Sequence, residues 1–164
     1  MIKKSITAEE AYSKMTWLCS RSEQCRYDIG LKLQRMGLKN ADVTDILDRL
    51  SEEQYIDDAR YARAFCNDKS KFQGWGRVKI SYALKQRNIP QSVIDEAMEI
   101  IDDNDYTAKL SALLQSKRRS IKNPDPTAVR ATLYRFAASR GFETSLIMRC
   151  IDKIADETEE YDEL

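Results

Sequence analysis

An internal repeat is the feature of this sequence that most constrains its fold. The segment around Gly37 recurs 51 residues later around Asn88, and 53 residues after that around Gly141. A repeat period of tens of residues is the signature of an architecture built from copies of one small unit. The sequence therefore predicts three tandem units.

Each unit ends in the same pattern of apolar residues, spaced three, one and three positions apart. This spacing places the residues on one face of an amphipathic helix. The positions are Val43, Ile46, Leu47 and Leu50, then Ile94, Ala97, Met98 and Ile101, then Ile147, Cys150, Ile151 and Ile154. A unit of about fifty residues buries little core alone. We therefore predict an all-α fold of three tandem three-helix repeats, stacked into an elongated, curved array.

The predicted repeats occupy residues 1–54, 55–104 and 105–155, followed by an acidic tail at 156–164. The tail lacks the apolar residues needed to fold, so the sequence predicts that it is disordered. Three structural positions mark breaks between helices, because Gly or Asn there suits a left-handed turn at a helix C-terminus: Gly37, Asn88 and Gly141.

Two further positions are predicted to begin helices. Ser22 is a residue type that caps helix N-termini. Asp125 is another, and Pro126 suits the first helical position directly after it.

Composition excludes several kinds of enzyme. The chain has no histidine and four scattered cysteines, which removes the Ser-His-Asp and Cys-His systems and the commonest metal ligand. The cysteine spacing does not fit a zinc site, and no Gly-rich nucleotide-binding loop is present. We expect no catalytic residues, metal or cofactor. The first residues contain two lysines but no apolar run, so we expect a cytoplasmic protein without a signal peptide or membrane anchor.

Basic residues are concentrated in the middle unit, where eight of them between positions 60 and 90 face Asp68 alone. Aromatic residues are interspersed at Tyr61, Trp75 and Tyr82. Arg and Lys bind phosphate or carboxylate, and aromatic rings stack on bases or anchor protein contacts. The candidate binding residues are Arg60, Arg63, Arg77, Lys79, Lys85 and Arg87, with a second cluster at Lys117, Arg118 and Arg119.

Structural interpretations of these residues remain open. Most Lys and Arg residues on a helix form its solvated face. Arg77 recurs as Arg26 and Arg130, so it can pair with a carboxylate inside each unit. The cluster at 117–119 ends a helix, where cations also stabilise the terminus.

The segment around Asp57 and Asp58 lies between the first and second units. Either carboxylate can cap the next helix at its positive end. Tyr61 follows at a spacing that predicts helix packing. We interpret the three as structural residues, because acid–base catalysis needs a pocket and a second perturbed group.

Three segments carry a specific resemblance. They are Ile56-Asp57-Asp58-Ala59-Arg60-Tyr61-Ala62, Gly74-Trp75-Gly76-Arg77-Val78-Lys79-Ile80 and Leu84-Lys85-Gln86-Arg87-Asn88-Ile89. In this order they resemble the RecX family, and the likeness extends from about Thr7 to Ile154. The sequence departs from the family at Gln54 and Asn88, where glycine is usual.

The resemblance implies a regulator of RecA, the recombinase that polymerises on single-stranded DNA, with roles in recombination, DNA repair and the SOS response. RecX proteins are three-repeat helical arcs that lie in the filament groove and inhibit filament growth, ATP hydrolysis and strand exchange. We accordingly expect a monomer whose partner is the RecA filament, with direct contact to DNA also open. The alternatives are a helical-repeat DNA-binding protein that acts without RecA and a protein–protein adaptor.

Overall fold

The computed structural model describes residues 4–162, and this part of the chain contains nine α-helices and no strand. The all-α prediction is confirmed. The helices are α1 (Ala8–Arg21), α2 (Arg26–Arg35), α3 (Asn40–Glu52), α4 (Asp58–Lys71), α5 (Arg77–Gln86), α6 (Gln91–Met98), α7 (Asp103–Ser120), α8 (Pro126–Ser139) and α9 (Thr144–Asp162). Within the same range, no helix combines the length and apolar character needed to cross a bilayer.

The chain divides into two compact units that do not follow the repeats. The first unit comprises the chain up to Phe65 together with Leu84–Ala97, and the second comprises Cys66–Ala83 and the chain from Met98 onward. Helices α4 and α5 therefore contribute residues to both units, and the last residue of α6 belongs to the second.

The core of the first unit is built mainly from α1, α2 and α3. The apolar face predicted for α3 is buried from Val43 to Leu50. It packs with Ile29 and Leu33 of α2 and with Met15 of α1. Tertiary burial of one amphipathic face per helix is what stabilises helices this short, because isolated helices of this length are marginal in water.

The core of the second unit is built mainly from α7, α8 and α9. Leu110 and Leu114 of α7 are fully buried and pack with Leu133 of α8. Ile147 and Ile151 of α9 complete the cluster. The apolar face predicted for α9 thus packs against α7 and α8 in this unit.

Helix ends follow local chemistry at most positions. Asp125 accepts a hydrogen bond from the N–H of Thr127, and Pro126 takes the first turn of α8, as predicted. Gly37, Asn88 and Gly141 all have positive φ, at 86°, 56° and 87°, the left-handed conformation expected there.

The helix start predicted at Ser22 is wrong. Ser22 is the C-cap of α1, and its N–H donates to the carbonyl of Leu18. Helix α2 begins at Arg26, and its N-cap residue, Cys25, makes no side-chain capping bond. The residue type was suitable, but the cap for α2 comes from elsewhere in the chain.

Helix α9 corrects the prediction of a disordered tail. It continues through residues 156–162, and only residues 163 and 164 of the predicted tail lie outside the described range. Glu is a good helix former, and Arg118 contacts the segment by donating to the Thr158 hydroxyl at 2.6 Å. The repeat boundary predicted between 104 and 105 falls inside α7, one turn after the Asp102 cap.

Candidate functional site

Asp57 and Asp58 both accept hydrogen bonds from main-chain N–H groups. Asp57 Oδ1 lies 3.0 Å from the N of Arg60 and caps α4. Asp58 Oδ1 lies 2.9 Å from the N of Arg26 and so caps α2. This bond supplies the acceptor that Cys25 lacks. The two carboxylates therefore stabilise helix N-termini, as capping acidic residues do.

Arg77 is held inside the second unit by α7 and by the residue that precedes α9. Its guanidinium pairs with Asp103 of α7 and with Glu143 Oε2, at 3.5 Å, and lies 4.1 Å from the centre of the Tyr106 ring. Its N–H donates to the Tyr106 hydroxyl at 2.9 Å. Burial, and the hydrogen bond to Glu143, raise the pKa of Tyr106 well above its ordinary value. Arg77 is thus committed to internal contacts.

The recurring arginines share this behaviour. Arg26 pairs with Asp48 at 2.6 Å, and Arg130 pairs with Asp152. In both cases the partner is 22 residues further along the chain. The intra-repeat ion pair is therefore present at Arg26 and Arg130, whereas the partners of Arg77 lie in α7 and directly before α9.

Arg60 and Arg87 are also engaged, within the first unit. Arg60 donates to Glu23 Oε1 at 2.7 Å and to the carbonyl of Gln54 at 3.1 Å. Arg87 pairs with Asp28 at 3.2 Å and lies over the Phe65 ring. Arg60 connects α4 to the loop before α2 and to the turn before α4, and Arg87 connects the turn after α5 to α2 and α4. These contacts leave less of each guanidinium for a partner.

The remaining candidates are more exposed. Arg63, Lys85 and Arg119 are exposed. Tyr61 packs on Phe65 with ring centroids 5.8 Å apart. Of the candidate residues, Arg60, Arg63, Lys85 and Arg87 belong to the first unit, and Arg77, Lys79, Lys117, Arg118 and Arg119 belong to the second.

A surface of alternating cations and aromatic rings lies in the second unit. The ammonium nitrogens of Lys69 and Lys79 lie 4.9 Å and 4.3 Å from the centre of the Trp75 ring. The guanidinium of Arg140 lies 4.9 Å from the centre of the Phe136 ring, and the ammonium of Lys117 lies 5.4 Å from it. We call this the basic–aromatic surface; its residues are Lys69, Trp75, Lys79, Lys117, Phe136 and Arg140.

Gly74 links the two halves of the basic–aromatic surface. A Cβ built on Gly74 would lie 3.7 Å from a guanidinium nitrogen of Arg140. Gly74 is also at φ 64°, a left-handed conformation that a side chain would strain. The Trp75 half and the Phe136 half are therefore neighbours.

Two glycines fix the backbone beneath this surface. The N–H of Gly76 donates to the carbonyl of Arg140 at 2.8 Å, and that of Val78 donates to the carbonyl of Gly141 at 2.9 Å. A Cβ on Gly76 would collide with the Gly141 carbonyl, and a Cβ on Gly141 would collide with Lys79. Only glycine at both positions allows so close a backbone approach.

Exposed apolar side chains extend from the same segment of the second unit. Phe72 is 78% exposed, Val78 55% and Tyr82 63%. Val78 and Tyr82 are four residues apart on α5 and so share a helix face. Within residues 4–162, Lys79, Lys117 and Arg140 form no ion pair. Their positively charged groups therefore lie against aromatic rings and remain available to bind an anion.

Sequence reasoning identified part of this surface. Trp75, Lys79 and Lys117 were singled out from the charge and aromatic pattern. Phe136 and Arg140 were not, since Phe136 fits the helical pattern of α8 as a packing residue. One signal could have found Arg140: it precedes Gly141 as Arg87 precedes Asn88.

Known proteins resemble this chain over most of its length. A family model described as the second three-helix domain of RecX matches residues 57–98. The regulatory protein RecX of Chlorobium phaeobacteroides (strain BS1) is 31% identical over 146 residues, which cover 89% of this chain and 94% of that protein. The regulatory protein RecX of Pseudomonas entomophila (strain L48) is 32% identical over 134 residues, covering 82% and 84%.

A crystal structure of regulatory protein RecX shares the fold. It matches with a TM-score of 0.80 at 24% sequence identity and covers 88% of this chain and 71% of that one. The residues that the RecX domain model matches lie within the second predicted repeat. The identity to the two named relatives extends across the remaining repeats. The chain therefore belongs to the RecX family of regulatory proteins.

Proposed function

We propose that this protein regulates RecA by binding the RecA filament on single-stranded DNA and inhibiting its ATP hydrolysis and strand exchange. The resemblance described above implies this partner. Membership of a family of regulatory proteins supports the proposal. In this view the protein acts in the cytoplasm as a monomer, without catalysis or a cofactor.

We assign the filament contact to the basic–aromatic surface on one observation. Lys79, Lys117 and Arg140 of this surface lie over aromatic rings and form no ion pair within residues 4–162, whereas Arg60, Arg77 and Arg87 are paired with carboxylates. A nucleoprotein filament is polyanionic, so these three cations, which no carboxylate pairs with in the described residues, can steer association with it. Arg can also bind phosphate with two parallel hydrogen bonds.

The test compares two triple charge reversals of equal size. One carries Lys79→Glu, Lys117→Glu and Arg140→Glu in the basic–aromatic surface. The other carries Arg35→Glu, Arg63→Glu and Lys85→Glu at exposed positions of the first unit. Each protein is added to preformed RecA filaments on single-stranded DNA, and ATP hydrolysis is followed.

The first variant should lose inhibition, most of all at low salt, and the second should retain most of it. Thermal unfolding checks that both variants are folded. Loss of inhibition only in the second variant would move the contact to the first unit. An unmodified protein that does not change ATP hydrolysis at any concentration would refute the proposed function.

The exposed aromatics favour a second candidate, direct binding of single-stranded DNA without RecA. Bases stack on aromatic side chains such as Phe72 and Tyr82 with little sequence preference. Salt dependence identifies this mode, because the logarithm of affinity should fall with a slope of about −0.7 per phosphate contact on single strands.

A further inference from the structure

The last turn of α7 is a basic segment in contact with α9. Lys117, Arg118 and Arg119 follow one another there. Arg118 Nη1 lies 2.6 Å from the hydroxyl of Thr158 and 3.5 Å from the carbonyl of Ile154. Neither acceptor is charged, so the hydrogen bonds leave the positive charge of Arg118 without a counter-ion at the contact itself.

The end of α9 brings carboxylates to that contact. Thr158 is flanked in sequence by two acidic residues on each side, and all four are exposed. With a rise of about 1.5 Å per residue, they span about 6 Å of the helix axis. This is less than the Debye length of about 8 Å at physiological salt, so the four carboxylates act together as one block of negative charge around Thr158. The four are Asp156, Glu157, Glu159 and Glu160.

This end of α9 is weakly attached. The last buried apolar residue of the helix is Ile154, and Tyr161 is 80% exposed. No basic residue lies in the last turn, so the carboxylates face the negative end of the helix dipole. A helix end with few buried contacts opens locally at low free-energy cost.

We propose that the end of α9 is an electrostatic cover for the basic turn of α7, and that a polyanion displaces it. Phosphates of the polyanion bind Arg118 in place of the Thr158 hydroxyl. The acidic segment then moves away from α7 or unwinds. The cover thereby discriminates against weak or isolated anions, which cannot offset the loss of the α9 contact. This inference rests on the proposed function for the source of the polyanion.

The first experiment measures binding of a fluorescent oligo(dT) strand to the full chain by anisotropy at several salt concentrations. The test variant carries Asp156→Asn, Glu157→Gln and Glu160→Gln. The matched control carries Asp45→Asn, Glu52→Gln and Glu96→Gln, exposed carboxylates of the first unit that cause the same change in net charge. The test variant should bind several-fold more tightly than the control at low salt, and the difference should shrink as salt rises.

Equal gains in the two variants would mean that net charge alone is responsible, and would overturn the proposal. So would the absence of any gain, or the absence of oligo(dT) binding by all three proteins. RecA ATP hydrolysis, measured separately, tests the proposed function. The test variant could bind oligo(dT) more tightly while the unmodified protein fails to inhibit RecA. This result would refute the proposed function and would still support displacement of the end of α9 by a polyanion.

The second experiment follows amide hydrogen exchange in residues 156–162. Exchange there should accelerate when oligo(dT) binds, because the helix end is displaced. Thr158→Ala, which keeps every charge, should accelerate it in the free protein. Alanine favours helix, so faster exchange in this variant would report the lost Arg118 contact. Slower or unchanged exchange on oligo(dT) binding would contradict displacement.

Discussion

The hydroxyl of Tyr106 caps α5, since its oxygen lies 2.9 Å from the main-chain nitrogen of Arg77. The same hydroxyl donates to Glu143 at 2.6 Å. Tyr106→Phe therefore leaves a helix-terminal N–H and a carboxylate oxygen without this partner. We expect a loss of about 1–3 kcal/mol in the free energy of unfolding, measured by urea denaturation.

The matched control for this change is Tyr134→Phe. Its hydroxyl makes an exposed contact with Thr144 at 3.3 Å. This substitution should cost less than about 0.5 kcal/mol. If the two variants unfold at the same urea concentration, the Tyr106 hydrogen bonds do not stabilise the fold.

Stability should fall in alkaline solution because one buried and one half-buried tyrosine keep their protons in the folded state. Burial raises the pKa of Tyr61 to about 12, and Tyr106 is shifted in the same direction. Between about pH 10, the ordinary tyrosine pKa, and the folded-state pKa, the unfolded state loses protons first. Stability is therefore complete below about pH 10 and decreases as pH rises through about 12.

Urea midpoints measured across this range check the prediction. Tyr61→Phe should show a shallower decline than the unmodified protein, because one linked proton has been removed. A midpoint that stays constant between about pH 10 and 12 would be inconsistent with retained protons on these side chains.

Replacement of Gly37 and of Gly141 by alanine distinguishes two contributions to the free energy of unfolding, namely backbone strain and steric collision. Both have φ near 86°, so Gly→Ala should cost about 1 kcal/mol of backbone strain at either. A Cβ on Gly37 meets no atom within 4 Å, whereas one on Gly141 collides with Lys79. Gly141→Ala should therefore lower the free energy of unfolding by at least about 1 kcal/mol more. Equal losses by urea denaturation would mean that the turn at Gly141 relaxes freely.

Arg87 and Lys85 should respond differently to loss of charge. Arg87→Gln breaks a half-buried pair with Asp28, and we expect a loss of about 1–2 kcal/mol by urea denaturation. Lys85 is exposed, so Lys85→Gln should change stability by less than about 0.5 kcal/mol. A larger effect at Lys85 than at Arg87 would contradict the internal role of Arg87.

Local periodicity accounts for what could be predicted of the fold. The face of α3 from Val43 to Leu50 and that of α9 from Ile147 to Ile154 are buried as their spacing indicates. Gln54, which departs from the family glycine, keeps the positive φ of that position, at 64°. These features depend on neighbours in sequence, which a single sequence contains.

Contacts between distant segments could not be predicted. Asp58 caps a helix that begins 32 residues earlier, and the cap of α5 is a tyrosine 29 residues later. Neither partner can be identified from helix-start patterns, which look only at adjacent residues. Trp75 and Lys79 were identified from composition, but their proximity to Arg140 depends on a turn 65 residues away from Trp75 in the chain.

The close backbone approach of Gly76 to Gly141 also constrains the order of events during translation. The N–H groups of Gly76 and Val78 find their acceptors in Arg140 and Gly141, which the ribosome adds about sixty residues later. Until that turn has left the exit tunnel, the N–H groups at the start of α5 have no carbonyl oxygens of that turn to which they can donate. The second unit can therefore complete its fold only after the turn at Gly141 has been synthesised and has left the exit tunnel.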